Sequence, residues 1–130
     1  ACLLFIPSAA SAQSCTQTPS GALKIAPTLF IFTASADHAV TVGTTALVTG
    51  YTLEICDGTT LVKSAAMGKP APTASGDISA PVSAVTGLPQ NKPLYFVVVT
   101  SGPGGDVRSA ASNPFALLSP PAAASNLRAQ

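Results

Sequence analysis

Hydrophobic positions along this chain fall into short runs that alternate with polar residues, and each run ends in turn-forming residues. In GYTLEICDG, Tyr51, Leu53 and Ile55 alternate with Thr52, Glu54 and Cys56, the two-residue period of a half-buried strand. Asp57-Gly58 closes that run as a turn, and TTLVKS is its natural antiparallel partner. LYFVVVTS, from Leu94 to Ser101, is the strongest strand pattern in the chain. ALKIA and TLFIFTA predict one or two strands around Pro27, and ISAPVSAVTGL predicts a weak strand that Pro81 confines to a sheet edge. SGPGGDVRS turns the chain, ASNPFALLS supplies a last strand, and SADHAVTVGTT and MGKPAPTASGD read as polar loops. No window carries a sustained 3.6-residue repeat, and 12 scattered prolines with 10 glycines exclude long helices. About seven short strands at even spacing predict an all-β sandwich. The sandwich occupies residues 22–119, between an N-terminal extension at 1–21 and a Pro/Ala-rich tail at 120–130.

Two of these runs are apolar on both faces. In LYFVVV, Tyr95, Val97 and Val99 are expected to fill the core, which leaves Leu94, Phe96 and Val98 on the opposite face. TLFIF places Leu29 and Ile31 on one side and Phe30 and Phe32 on the other. Either a loop of the same chain covers the surplus face or another chain does. The second reading assigns Leu23, Ile25, Leu29, Phe30, Phe32, Phe96 and Val98 to a subunit interface, together with Leu3 and Phe5 of the extension. Left bare, such side chains make a sticky patch that is unusual in a monomer.

GYTLEICDGTTLV followed by VTGLPQNKPLYFVVVTSGPGGDVRSAASNPFALLSPP resembles the C-terminal two-thirds of a bacterial fibronectin type III domain. That family runs from a Gly-Leu and a short polar turn into an aromatic-rich strand, then a Gly-containing hairpin, an Ala-Ser-Asn and a Pro-rich exit. The resemblance covers roughly residues 50–121 and implies an immunoglobulin-like sandwich of about seven strands. It places Leu88 and Tyr95 near the family's leucine and its corner tyrosine, whose hydroxyl bonds backbone across the sandwich end. Where the family carries a tryptophan in its second strand, this chain offers Phe30 or Phe32. Such a resemblance implies a fold and leaves function to be argued from sites.

Composition changes the picture mainly by exclusion. Charged residues are 8% of the chain, against about 25% in an average soluble domain. The net charge of +1 has no clustered basic patch behind it, which argues against nucleic-acid partners and polybasic membrane contacts. No run approaches the roughly 20 apolar residues that span a bilayer. Low charge with abundant Ser, Thr, Ala and Pro fits a secreted, extracellular or cell-surface protein, whose hydroxyls are candidate sites for O-linked surface glycans. Of the three cysteines, Cys15 and Cys56 form the preferred disulfide pair, fastening the extension to a strand. Cys2 is then unpaired, bonded to a neighbouring chain, or removed. No zinc spacing exists, since there is no C-x-x-C and His38 is the only histidine.

Candidate chemistry is sparse, and the reading contains no catalytic residues, no cofactor, no metal site and no small-molecule substrate. Glu54, the only glutamate, lies on the outward side of its strand, and Asp37, Asp57, Asp77 and Asp106 stand in turn contexts. Asp37-His38 lacks a nucleophile motif such as G-x-S-x-G, and GPGGD lacks the Lys-Ser/Thr of a phosphate cradle. Without tryptophan, and with both tyrosines at core positions, stacking on sugar rings is not expected. Ala10 and Ala12 form an A-x-A signal, so residues 1–12 read either as the end of an export signal or as an apolar strand donated to a neighbour. The expected function is a structural subunit of an extracellular bacterial filament or fimbria, whose partners are copies of itself joined head-to-tail by strand exchange. The alternative is a non-catalytic fibronectin type III spacer or protein-binding module of a larger secreted enzyme or adhesin.

Overall fold

A computed structural model of the chain describes residues 14–130. In chain order the strands are β1 (Lys24–Ile25), β2 (Leu29–Thr33), β3 (Thr41–Val42), β4 (Thr45–Ala46), β5 (Gly50–Asp57), β6 (Thr60–Gly68), β7 (Asp77–Pro81), β8 (Tyr95–Gly102), β9 (Gly105–Arg108) and β10 (Phe115–Ala116). One 3₁₀ turn, Val82–Ala84, follows β7. The described chain is therefore all-β.

Four strands form the larger sheet in the order β6-β5-β8-β9, all antiparallel. The β5–β6 hairpin is closed by Gly58-Thr59 between the paired Asp57 and Thr60, and Gly58 takes a φ of 61°. A two-residue turn of the II′ kind needs that left-handed first position, which glycine supplies without steric cost. TTLVKS pairs with β5 as its alternation implies, but the strand runs on to Gly68 because the alanines and Met67 continue the extended backbone. At the far end of β8, a Cβ on Gly102 would collide with the Leu47 carbonyl oxygen. The chain entering β5 crosses there, bonded from the Thr49 N–H to the Ser101 carbonyl at 2.8 Å.

The second sheet is β2 paired antiparallel with β7, in register from Leu29↔Pro81 to Thr33↔Asp77. It packs on the larger sheet through Phe30, whose ring lies 4.9 Å from that of Phe96 and 5.4 Å from that of Phe115. Val48, Tyr51, Leu53, Ile55, Ile78, Val82, Val85, Leu94 and Val98 complete the buried core. Burying each such side chain is worth about 1.5–3 kcal/mol, so this inter-sheet layer is the main source of stability.

The register of β8 corrects the expected core assignment. Val98 lies opposite Leu53 and Phe96 opposite Ile55, so Leu94, Phe96 and Val98 face the second sheet. Tyr95, Val97 and Val99, expected in the core, lie opposite Cys56, Glu54 and Thr52 on the other face, where Tyr95 and Val97 are buried with Cys15. The period of two fixes which residues share a face, and only the pairing partner decides which face is inside. The Tyr95 hydroxyl donates to the Gly58 carbonyl at 2.8 Å, tying β8 to the β5–β6 turn.

Two segments depart from their expected form. SADHAVTVGTT, expected as a polar loop, contains the small β3–β4 hairpin. Its preceding turn is held by Tyr51, whose hydroxyl accepts the Ser35 N–H at 3.2 Å and lies 2.6 Å from His38 Nδ1. ASNPFALLS, expected as a full last strand, contributes only β10. Residues 109–112 run beside β8, with Ser109 and Ser112 N–H groups donating to the Val98 and Phe96 carbonyls. The Ser109 and Ser112 hydroxyls accept the Val98 and Phe96 N–H groups, each at 3.0 Å, so side chains stand in for missing ladder carbonyls.

β1 does not pair with β2. It pairs in parallel with β10, Lys24↔Phe115 and Ile25↔Ala116, and Ala26 then turns the chain toward the other sheet. Ala26 has a φ of 49°, a left-handed conformation costing a residue with a Cβ roughly 1–2 kcal/mol. The chain thus crosses between sheets at this corner and leaves one side of β2 without β1.

Candidate subunit interface

The two strands that read as apolar on both faces meet different fates. The outer face of β5 and β8 is sealed by the chain's own N-terminal segment. Cys15 is bonded to Cys56 with a Cα–Cα distance of 5.6 Å. Beside that bond, Arg108 Nε donates to Glu54 Oε1 and Arg108 Nη2 to Glu54 Oε2, both at 2.9 Å. The Ser14 hydroxyl donates to Glu54 Oε2 at 3.0 Å. The Glu54 carboxyl is held below the ordinary glutamate value, chiefly by the Arg108 hydrogen bond, against the opposing effect of burial. Sequence reasoning placed Glu54 outward on its strand, and the structure covers that outward face so that Glu54 is buried. Its pairing with Arg108 was missed; the signal available was an outward acid and an outward base on two strands of one sheet.

The β2 strand has no such cover among the described residues, where its only sheet partner is β7. The bonds from the Val82 N–H to the Thr28 carbonyl and from the Ala34 N–H to the Gly76 carbonyl put the even-numbered residues in the hydrogen-bonded pairs with β7. By antiparallel alternation, the backbone groups of Leu29, Ile31 and Thr33 point to the opposite edge. A groove of about 540 Å³ runs along that edge, between β2 and the segment Ser109–Phe115. Leu29 and Ile31 stand on its rim, 48% and 52% exposed, whereas Phe30 is 2% exposed at its floor.

This edge differs in kind from the others. β7 carries Asp77 and Pro81, and β9 is four residues long with Asp106 and Arg108. β6 carries Lys63 and two register shifts, at which Val62 and Met67 are extra residues. Charges, proline, short length and bulges are the usual devices that stop a sheet edge from recruiting another strand. LFIFT carries no charge, proline or bulge.

The residues assigned to an interface from sequence therefore divide. Leu23, Ile25 and Leu29 are exposed, each at 48%. Phe30 and Val98 are buried inside this chain, which corrects their outward assignment: the partner face of each strand, not its composition, put them inward. Phe32 and Phe96 are half-buried against the core and line the groove. Leu3 and Phe5 lie outside the described residues. Ile31 belongs with the exposed set and was the residue most worth adding.

Elsewhere the polar side chains make structural contacts. Lys92 pairs with Asp57 at 2.8 Å, Thr33 donates to Asp77 at 3.2 Å, and the His38 ring stacks on Tyr51 at 5.7 Å. Among the described residues no three His, Cys, Asp or Glu side chains gather as a metal site, and no helix is long and apolar enough to cross a membrane. No protein-family model, curated protein or solved structure matches the chain.

Proposed function

We propose that this chain is a structural subunit of an extracellular filament or fimbria, built on an immunoglobulin-like, fibronectin type III-like sandwich. Subunits join head-to-tail, a strand of one completing the sheet of the next. The observation that carries this reading is the unguarded β2 edge, an uncharged apolar strand bordering an open groove. Strand addition uses such an edge: main-chain hydrogen bonds hold the incoming segment, and alternate side chains plug the groove. A head-to-tail contact whose rotation does not close propagates as a fibre. Low charge removes the long-range repulsion that would keep like subunits apart.

A second reading, a spacer or protein-binding module of a larger secreted protein, draws on the C-terminal tail. Residues 120–130 are exposed and without strand pairing, the form of a linker between modules. Negative-stain microscopy of native material separates the two readings. Ordered fibres composed of this chain support the subunit; monodisperse particles at every concentration support the spacer and overturn the filament.

A further inference from the structure

We infer that the β2 edge is the acceptor for the apolar run Leu3–Ile6 of a second copy of this chain, an inference that rests on the filament reading and names its joint. Three observations single out this occupant. The first is composition across both faces. A strand laid beside β2 directs alternate side chains into the groove over Phe30, Phe96 and Phe115, and the others outward beside Leu29 and Ile31. The groove floor and the Leu29–Ile31 rim are apolar, with Lys24, Thr33, Ser109, Ser112 and Asn113 at its borders, so a strand with polar residues on one face would leave much of the apolar surface uncovered. Leu3, Leu4, Phe5 and Ile6 are apolar at four consecutive positions and suit both faces. The C-terminal tail does not: from Pro120 to Gln130 its only large apolar side chain is Leu127.

The second observation is length. Four residues extend about 13 Å, which matches the three outward-facing backbone positions from Leu29 to Thr33. Pro7 then ends the run, since it has no N–H to continue a ladder.

The third is where the segment is rooted. Ser14 and Cys15 are fixed by Glu54, Arg108 and Cys56 on the outer face of the larger sheet, whereas the groove opens toward the other sheet. The segment is thus rooted on the face of the larger sheet opposite the groove of its own chain. A root on that face favours a neighbour's groove over its own, and the Cys15–Cys56 bond ties the joint to the body of the donor.

Cross-linking tests this in the full 130-residue chain. In a Cys2→Ser background, Ile31→Cys is combined with Leu4→Cys or with Phe5→Cys, which samples both faces of the donated strand. Mild oxidation followed by non-reducing electrophoresis and peptide mapping is expected to give a ladder of chains linked between position 31 and one of the two donor positions. Leu3→Asp with Ile6→Asp, in the chain retaining Ile31→Cys together with Leu4→Cys or Phe5→Cys, abolishes that ladder. A link formed only within single chains overturns the inference in favour of self-closure. Fibres that form without either link overturn the acceptor assignment and leave the filament reading standing. Neither fibres nor links, in protein whose unaltered circular dichroism and melting temperature show it folded, overturn both.

Discussion

The outer face of β5 and β8 and the edge of β2 pose the same problem and resolve it differently. Each includes a strand, β8 in one and β2 in the other, with more apolar residues than one core face can use. On β5 and β8 the surplus is covered from within: the segment at Ser14–Cys15 lies over Tyr95 and Val97, locked by one disulfide and one buried ion pair. On β2 no described residue plays that part, and Leu29 and Ile31 remain exposed beside a groove. A strand apolar on both faces is therefore not in itself an interface signal. It becomes a candidate one only where no described residue supplies a lid.

The largest way to break the comparison is to remove the lid's covalent root. Replacing both partners, Cys15→Ser with Cys56→Ser, opens a loop of sequence separation 41 and is expected to cost about 4 kcal/mol in the chain-entropy account. Chemical denaturation reads the loss. Limited proteolysis is expected to begin at residues 14–17, because Tyr95 and Val97 then lose their cover before the inter-sheet core opens. Unchanged stability and an uncut N-terminal segment would show that the lid holds without its bond.

A smaller effect comes from the ion pair beneath that lid. Arg108→Met leaves the Glu54 carboxylate buried without its guanidinium and is expected to cost about 3 kcal/mol. This is the lower end of the range for a broken buried pair, since the Arg108 side chain keeps 17% exposure. The same pair sets a pH dependence. Glu54 titrates below its ordinary value of 4.5 when folded, so between the folded value and 4.5 the unfolded chain binds more protons. Stability from this group is complete above 4.5 and is lost as pH falls through the folded value. Glu54→Gln is expected to flatten the acid limb of a stability-against-pH curve; an equally steep limb in that variant would assign the acid sensitivity elsewhere.

Much of this architecture is legible in the chain. The alternation of Tyr51, Leu53 and Ile55, the turn at Gly58 and the edge role of Pro81 all follow from local rules, and the structure has a strand, a hairpin and an edge in those places. What local rules do not contain is register. Whether Val97 or Val98 faces the core depends on Leu53 lying opposite Val98, a contact between residues 45 positions apart in the chain. The candidate joint is less legible still. Exposure of Ile31 and burial of Phe30 depend on β7 pairing with one side of β2 while β1 departs to β10 at the Ala26 corner. Nothing in LFIFT announces that its neighbouring strand is elsewhere.

The smallest effect sharpens the comparison most, because a threonine hydroxyl is introduced at both sites. Val97→Thr and Ile31→Thr each place a hydroxyl on a β-branched side chain, so strand propensity barely changes. Val97 is wholly buried under the lid, and a hydroxyl there without a partner is expected to cost roughly 1–3 kcal/mol. Ile31 is half exposed at the rim of the groove, and Ile31→Thr, which also shortens the side chain by one methyl, is expected to shift the stability of the isolated subunit by less than about 0.5 kcal/mol. Thermal melts of dilute protein measure both. Should Ile31→Thr prove as costly as Val97→Thr in a subunit shown to be monomeric, the β2 edge is already covered within one chain, and the contrast between a lidded face and an open edge disappears. If instead Ile31→Thr leaves the monomer intact and weakens its assembly, the cost falls on a partner chain, the place where an unguarded edge should register it.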